Sequence, residues 1–207
     1  DLIALDGWLG IVIGDVVGKG VPAALLMASV RSLFRAHATH AETVSEVARR
    51  VNHTLTRDTL PGEFATAFIA WIDPQSRELW YANAGHDPPV VVRAARPSAT
   101  ERGAVQKLEA GGPLLGVDAT FAYEHDSVVL QPGDTLVAYT DGVTDAMTFD
   151  GRKFGRDRLM SSVHSQLGEK PDSSAREVCD RIIWDIRRFV GLNTERDDIT
   201  LIVLRAR

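Results

Sequence analysis

Three acidic clusters stand where apolar, strand-like runs meet loops: Gly14-Asp15, Thr140-Asp141-Gly142 and Asp197-Asp198. Residues 8–13 precede the first, residues 135–139 the second, and residues 199–204 follow the third. A carboxylate beside a buried strand is costly unless it is hydrated, hydrogen-bonded or bound to a cation. Acids far apart in sequence but each at a strand end can converge at one sheet edge. Oxygen-only donors of that kind suit hard divalent ions such as Mg2+ or Mn2+. The chemistry they suggest is therefore metal-assisted.

Each cluster also has a plainer explanation. The glycines of Gly14-Asp15-Val16-Val17-Gly18-Lys19-Gly20 suit a strand–helix turn with positive φ, Asp-Gly is a common turn dipeptide, and Asp197-Asp198 could be a solvated loop. The first segment is not a nucleotide-binding P-loop. A Walker A motif needs four residues between its first Gly and Gly-Lys, followed by Ser or Thr. Here only Asp15-Val16-Val17 intervene, and Gly20 takes the Ser/Thr place. Turn chemistry explains the glycines but leaves Asp15 unexplained. An apolar strand beside every cluster favours the metal reading.

The elements that must position these acids follow from pattern. A strand over residues 9–13 leads into the glycine turn, and a helix over residues 23–38 starts just after Pro22, which is tolerated in a first helical turn. Thr43-Val44-Ser45-Glu46 has capping-box spacing, with Val44, Val47, Val51 and Leu55 as an apolar stripe. A β-meander is expected over residues 64–72, 78–82 and 89–93, then strands over 105–108, 123–130 and 135–139. Residues 95–104 read as an exposed loop. A helix is expected over residues 156–166, and another from Ser174 with its own capping box, ending at Gly191. Helices near both ends with strands between them predict an α+β fold with largely antiparallel sheets. No internal repeat or second domain is visible, so residues 1–207 are expected to form one domain.

Composition narrows the function classes. With 44% hydrophobic and 25% charged residues the chain is an ordinary globular one. Net charge is −5 with no basic stripe, which argues against nucleic-acid binding. The single cysteine, Cys179, excludes an internal disulfide and a cysteine zinc site, and its helical pattern predicts a buried or half-buried thiol. No apolar run approaches the ~20 residues of a membrane span.

Gly14-Asp15-Val16-Val17-Gly18-Lys19-Gly20-Val21-Pro22-Ala23-Ala24 closely resembles the signature of the SpoIIE/RsbU-type phosphatases, a bacterial branch of the metal-dependent protein phosphatase 2C superfamily. Tyr81-Ala82-Asn83-Ala84-Gly85-His86, Tyr139-Thr140-Asp141-Gly142-Val143-Thr144-Asp145 and Arg196-Asp197-Asp198-Ile199-Thr200 are similar to its later motifs, in order. The resemblance implies an α-β-β-α sandwich of two antiparallel sheets flanked by helices. It implies Asp15 as a bridge between two Mn2+ or Mg2+ ions, the Val16 carbonyl as a further ligand, and Asp141 and Asp197 on one ion. Asp145 would hold a third, weaker ion, and Asp198 is the alternative to Asp197 if the register shifts by one. Two such ions activate water for in-line attack on a phosphoserine or phosphothreonine without a covalent enzyme intermediate.

By family habit the substrate is a STAS-type anti-sigma-factor antagonist in a cytoplasmic bacterial partner-switching pathway, and homodimerisation through flanking helices is common. Departures from the family pattern are Val17 in place of Ser and Asp87 in place of Pro. Relatives also carry a Gly-Gly-Asp-Tyr-Tyr-Asp-like strand of which Asp1 matches only the last residue, so the domain is expected to be an excised one that lacks this strand and binds its second metal weakly. His86 is a tempting proton donor, although its loop setting suits a structural role better, and Asn83 suits bracing of its own turn. Lys19 could meet a substrate phosphate or simply be solvated. Two rival readings are a non-catalytic phosphatase-fold binding module and a hydrolase of small phosphoesters.

Overall fold

Two units organise the contacts of the computed structural model, in which residues 1–94, 104–193 and 198–207 are described. The first comprises Asp1–Pro88 with Leu108–Leu130, the second Pro89–Lys107 with Gln131–Arg207.

In the first unit, β1 (Leu2–Leu5) and β2 (Trp8–Val16) form a hairpin across Asp6-Gly7, Gly7 taking a φ of +74°. The helices α1 (Gly20–Ala38) and α2 (Val44–Asp58) follow, then β3 (Ala65–Ile72) and β4 (Glu78–Ala84). Two short strands, β7 (Gly111–Gly112) and β8 (Asp126–Val129), both pair with β4, giving the order β1-β2-β3-β4-β7 with β8 also on β4. All pairings are antiparallel except β4 with β7. Alternation along the strands puts Ile3, Val12, Ala67, Ile69 and Ala82 in one core with Val30 and Phe34 of α1 and Val47, Val51 and Leu55 of α2. The predicted apolar stripe of α2 is therefore its buried face.

The second unit carries β5 (Val90–Val92), β6 (Val105–Lys107), β9 (Thr135–Tyr139) and β10 (Leu201–Arg205), in the order β10-β9-β5-β6, all antiparallel. A single-turn helix α3 (Asp141–Thr144) precedes α4 (Gly155–Glu169) and α5 (Ala175–Val190). Val137 and Tyr139 of β9 share a core with Leu159 and Val163 of α4 and Val178, Ile182 and Ile186 of α5. The start of β9 is fixed by Asp134, whose fully buried carboxylate accepts from the Ala94 and Gln131 N–H groups and pairs with Arg93 at 2.7 Å.

Several boundaries differ from the sequence expectation. Strand β1 was not anticipated, because four residues between a chain end and a turn carry little periodicity. Strand β2 runs three residues past Ile13, so Gly14 and Asp15 belong to the strand and the turn starts only at Val17. The cluster Thr140-Asp141-Gly142, expected where a strand meets a loop, instead opens α3, with Asp141 as its first residue. The expected loop over residues 95–104 falls almost wholly outside the described residues. Cys179 is half-buried, as its pattern suggested.

Both predicted caps form, one completely. At Ser174 the hydroxyl accepts from the Glu177 N–H at 3.2 Å while the Glu177 carboxylate accepts from the Ser174 N–H at 2.7 Å. At Thr43 the hydroxyl accepts from the Glu46 N–H, but Glu46 reaches back to the Glu42 N–H instead. The Lys170 ammonium and the Ser174 donors hold the Glu177 carboxyl down at about 2, against an ordinary 4.5. A carboxylate depressed in the folded state stabilises above its unfolded pKa, and that contribution disappears as pH falls through the folded one. Ser174→Ala is expected to lower stability by about 1 kcal/mol in urea denaturation. Glu177→Gln should destabilise at pH 7, and its difference from the wild type should shrink between pH 4.5 and pH 2.

Candidate metal centre

In the first unit the acidic strand end is built by a glycine with no room for a side chain. A Cβ on Gly14 would lie 2.6 Å from the Thr66 carbonyl oxygen, so β2 and β3 can approach here only because residue 14 is Gly. The register sets Gly14 opposite Ala67, Asp15 opposite Thr66 and Val16 opposite Ala65. Asp15 is exposed and Val16 half-buried. The chain then leaves the sheet, its last tie being the Val17 N–H to the Phe64 carbonyl at 3.0 Å. Gly18, at φ +96°, and Gly20, at φ +75°, turn it into α1, as the turn glycines suggested.

His86 belongs to the same strand end. It is buried, its Nδ1 lies 3.0 Å from Thr66 Oγ1, and Thr66 is the β3 partner of Asp15. Asn83 braces the turn that holds it, accepting the His86 N–H at 2.7 Å and donating to the His86 carbonyl at 3.0 Å. Gly85 passes against the backbone of Leu114 at a distance a Cβ would violate. Lys19 is exposed at the residue before α1.

The second unit repeats the device. Strand β9 delivers Asp141 to its end, and a Cβ on Gly142 would lie 2.2 Å from the Asp198 carbonyl oxygen. Position 142 must therefore be bare for the Asp198 backbone to cross it. Thr140 clamps that crossing: its N–H donates to the Thr200 carbonyl at 3.1 Å, its hydroxyl accepts the Thr200 N–H at 3.0 Å and donates to the Asp198 carbonyl at 3.3 Å. Asp141 and Asp198, 57 positions apart, are thus held on neighbouring backbone segments, and both are exposed. Asp197, the residue before, lies outside the described residues.

Asp145 is the C-cap of α3, and its N–H donates to the Asp141 carbonyl at 2.7 Å. Its carboxylate is paired with Lys153 at 2.7 Å, so binding an ion there would require that pair to give way. Thr66, Thr140, Gly142 and Lys153 were not identified as site residues from sequence. Thr140 and Gly142 flank Asp141 in its motif, whereas Thr66 and Lys153 carry no local signal.

In each unit the residue chemistry suits a hard divalent cation: Asp15 in the first, and Asp141 and Asp198 in the second, are exposed carboxylates beside close backbone contacts, and no thiol is among them. Among the described residues, no three His, Cys, Asp or Glu side chains gather closely enough to hold an ion by themselves. Among the same residues, no helix is long and apolar enough to cross a membrane.

The family model of stage II sporulation protein E (SpoIIE) matches residues 6–207. Protein IcfG of Synechocystis is 31% identical over 96% of this chain and 34% of its own length. The phosphoserine phosphatase RsbU of Bacillus subtilis is 29% identical over 95% of this chain and 55% of its own. The chain thus spans between a third and about half of these curated relatives. Among solved structures, the RsbU and RsbW domains of Rv1364c from Mycobacterium tuberculosis superpose with a TM-score of 0.80 at 28% identity, over all of this chain and 54% of that one. The SiaA PP2C domain of Pseudomonas aeruginosa gives 0.74 at 23% identity, over 97% and 75% of the two chains. RsbX, solved in complex with magnesium, gives 0.68 at 20% identity, over 98% and 83%. These last two likenesses bear on fold, and they identify the mixed α+β architecture as protein phosphatase 2C-like. With four ordered motifs and a family match across nearly its whole length, this chain belongs to the SpoIIE family.

Proposed function

We propose that this chain is a Mn2+- or Mg2+-dependent protein serine/threonine phosphatase domain, with Asp15, Val16, Asp141 and Asp197 as its principal metal ligands. Asp198 stands in for Asp197 if the register shifts by one, and Asp145 would hold a third, weaker ion. The observation that carries the reading is the backbone crossing of Asp198 over Gly142, because it sets two acidic segments side by side in a chain of the SpoIIE family. The relatives support it: RsbU is named a phosphoserine phosphatase and RsbX was solved with magnesium.

Bound divalent ions would supply Lewis acidity and water of lowered pKa. The remaining work falls to the chain's own residues. Asp15 and Asp141 hold negative charge at fixed strand ends, where a phosphate dianion would be repelled unless cations lay between them. The Thr66–His86 contact holds the strand end that carries Asp15. A thiolate nucleophile is disfavoured, because burial pushes the Cys179 thiol up and Asp180 adds to the shift. Direct attack by water, without a phosphocysteine, is the route this chain supports.

The substrate we propose is a phosphoserine or phosphothreonine on a STAS-type anti-sigma-factor antagonist, acting in the cytoplasm. Its support is the relationship to RsbU and to a protein that joins RsbU and RsbW domains. Phosphate release should be measured from a phosphorylated antagonist and from a small aryl phosphate, with Mn2+ or with chelator. The wild type should release phosphate from the protein substrate only with metal, and Asp15→Asn or Asp141→Asn should each reduce turnover about 100-fold or more, or about 2.7 kcal/mol of barrier. Near-normal turnover of either variant at saturating Mn2+ would remove that residue from the centre. A folded, metal-loaded wild type without turnover would identify a binding module instead.

A further inference from the structure

A cavity lies in the first unit, at the opposite end of β2 from Asp15. Trp8 opens that strand seven residues before Asp15, a separation of about 23 Å at ~3.3 Å per residue. This open cavity of about 670 Å3 is bordered by the β1–β2 hairpin, the sheet, and the turn between α1 and α2. That volume falls within the range of pockets that hold small organic molecules.

Its floor follows from strand register. Leu5 is paired with Trp8, Gly10 with Trp71, and Trp71 with Trp80. Side chains two apart on a strand share a face, so Trp8 and Gly10 point the same way. Gly10 contributes no side chain, and a Cβ there would meet Ile3 and Leu5 of β1 at 3.2–3.4 Å, so the bare position lets β1 pack closely beside the indoles. Three of the chain's four tryptophans line this one cavity. The His125 ring stands 5.6 Å from that of Trp80, and its Nδ1 lies 2.9 Å from Ser45 Oγ in the first turn of α2.

The charges at the mouth are of one sign. Asp6 and Glu42 line the cavity, and no described Lys or Arg does. Among the described residues, neither carboxylate enters an ion pair or accepts a hydrogen bond. The last turn of α1, at Ala38 and Thr39, also borders the space, and a helix C-terminus carries partial negative charge. The opposing N-terminus of α2 is already capped by Thr43 and carries Glu46 in its first turn. Indole faces attract cations through their quadrupoles, most strongly when the cation is poorly hydrated.

We propose that this cavity binds a small organic cation, a quaternary ammonium with an apolar body, seated against Trp8, Trp71 and Trp80 and drawn in by Asp6 and Glu42. The assignment is independent of the phosphatase reading, since it uses none of the proposed metal ligands. Choline and its uncharged carbon isostere 3,3-dimethyl-1-butanol serve as the probes, titrated into the 207-residue chain. Binding is followed by NMR of the indole N–H resonances, with the half-exposed Trp184 of α5 as an internal control. Choline should shift the resonances of Trp8, Trp71 and Trp80 saturably, leave Trp184 in place, and bind roughly tenfold more tightly than the alcohol. The double variant Asp6→Asn, Glu42→Gln changes only exposed side chains, and should weaken choline roughly tenfold while leaving the alcohol unaffected. Equal affinity for the two probes, or a double variant that binds choline normally, would mean a site for an uncharged apolar group or protein segment and would overturn the proposal. So would the absence of shifts, or equal shifts at Trp184.

Discussion

Two backbone approaches that exclude any Cβ shape the candidate centre. Gly14 lies against the Thr66 carbonyl and Gly142 against the Asp198 carbonyl, at hypothetical Cβ distances of 2.6 and 2.2 Å. Neither glycine has a positive φ, so its role is space, not conformational freedom. Each adjoins an acidic residue at a strand end, Asp15 in one unit and Asp141 in the other. An alanine at either place would have to push hydrogen-bonded backbone aside, which yields only at a cost. The backbones that carry the neighbouring acidic residues are therefore held by these contacts. Such preorganisation is what a metal centre needs of its scaffold.

The same contacts explain how much of the site was legible in the sequence. Asp15 and Asp141 stood out because an acid beside an apolar run has no packing explanation, and the ordered motifs turned that anomaly into a family. The capping box at Ser174 was legible because its chemistry is local. Thr66 was not, since its importance comes from pairing with Asp15 and touching His86, relations that only the strand register creates. Lys153 was missed for a similar reason: its partner Asp145 lies eight positions away across a turn. Strand β1 and the two-residue β7 are too short to show periodicity, and both depend on a longer neighbour for pairing. The extension of β2 through Asp15 was obscured by Gly14, which reads as a breaker in sequence but permits close strand approach here.

One strand of the first unit serves two purposes at its two ends. Strand β2 carries Asp15 at its final turn-out and Trp8 at its start, with Ile11, Val12 and Ile13 buried between them. Glycine does similar work at both ends, Gly14 admitting the Thr66 backbone and Gly10 admitting Ile3 and Leu5 of β1. Large aromatic residues at a sheet end usually meet a covering element. Here the α1–α2 turn roofs the space without filling it.

The most direct test of the account is the Mn2+ affinity of Gly142→Ala, measured by electron paramagnetic resonance of free and bound ion, with circular dichroism as the check on folding. This variant keeps every proposed carboxylate and alters only the space in which the Asp198 backbone crosses. A folded protein is expected, with an Mn2+ affinity lowered roughly tenfold or more, since displaced supporting contacts typically cost a metal site about 10–100-fold. A folded Gly142→Ala protein that binds Mn2+ as tightly as the wild type would contradict it.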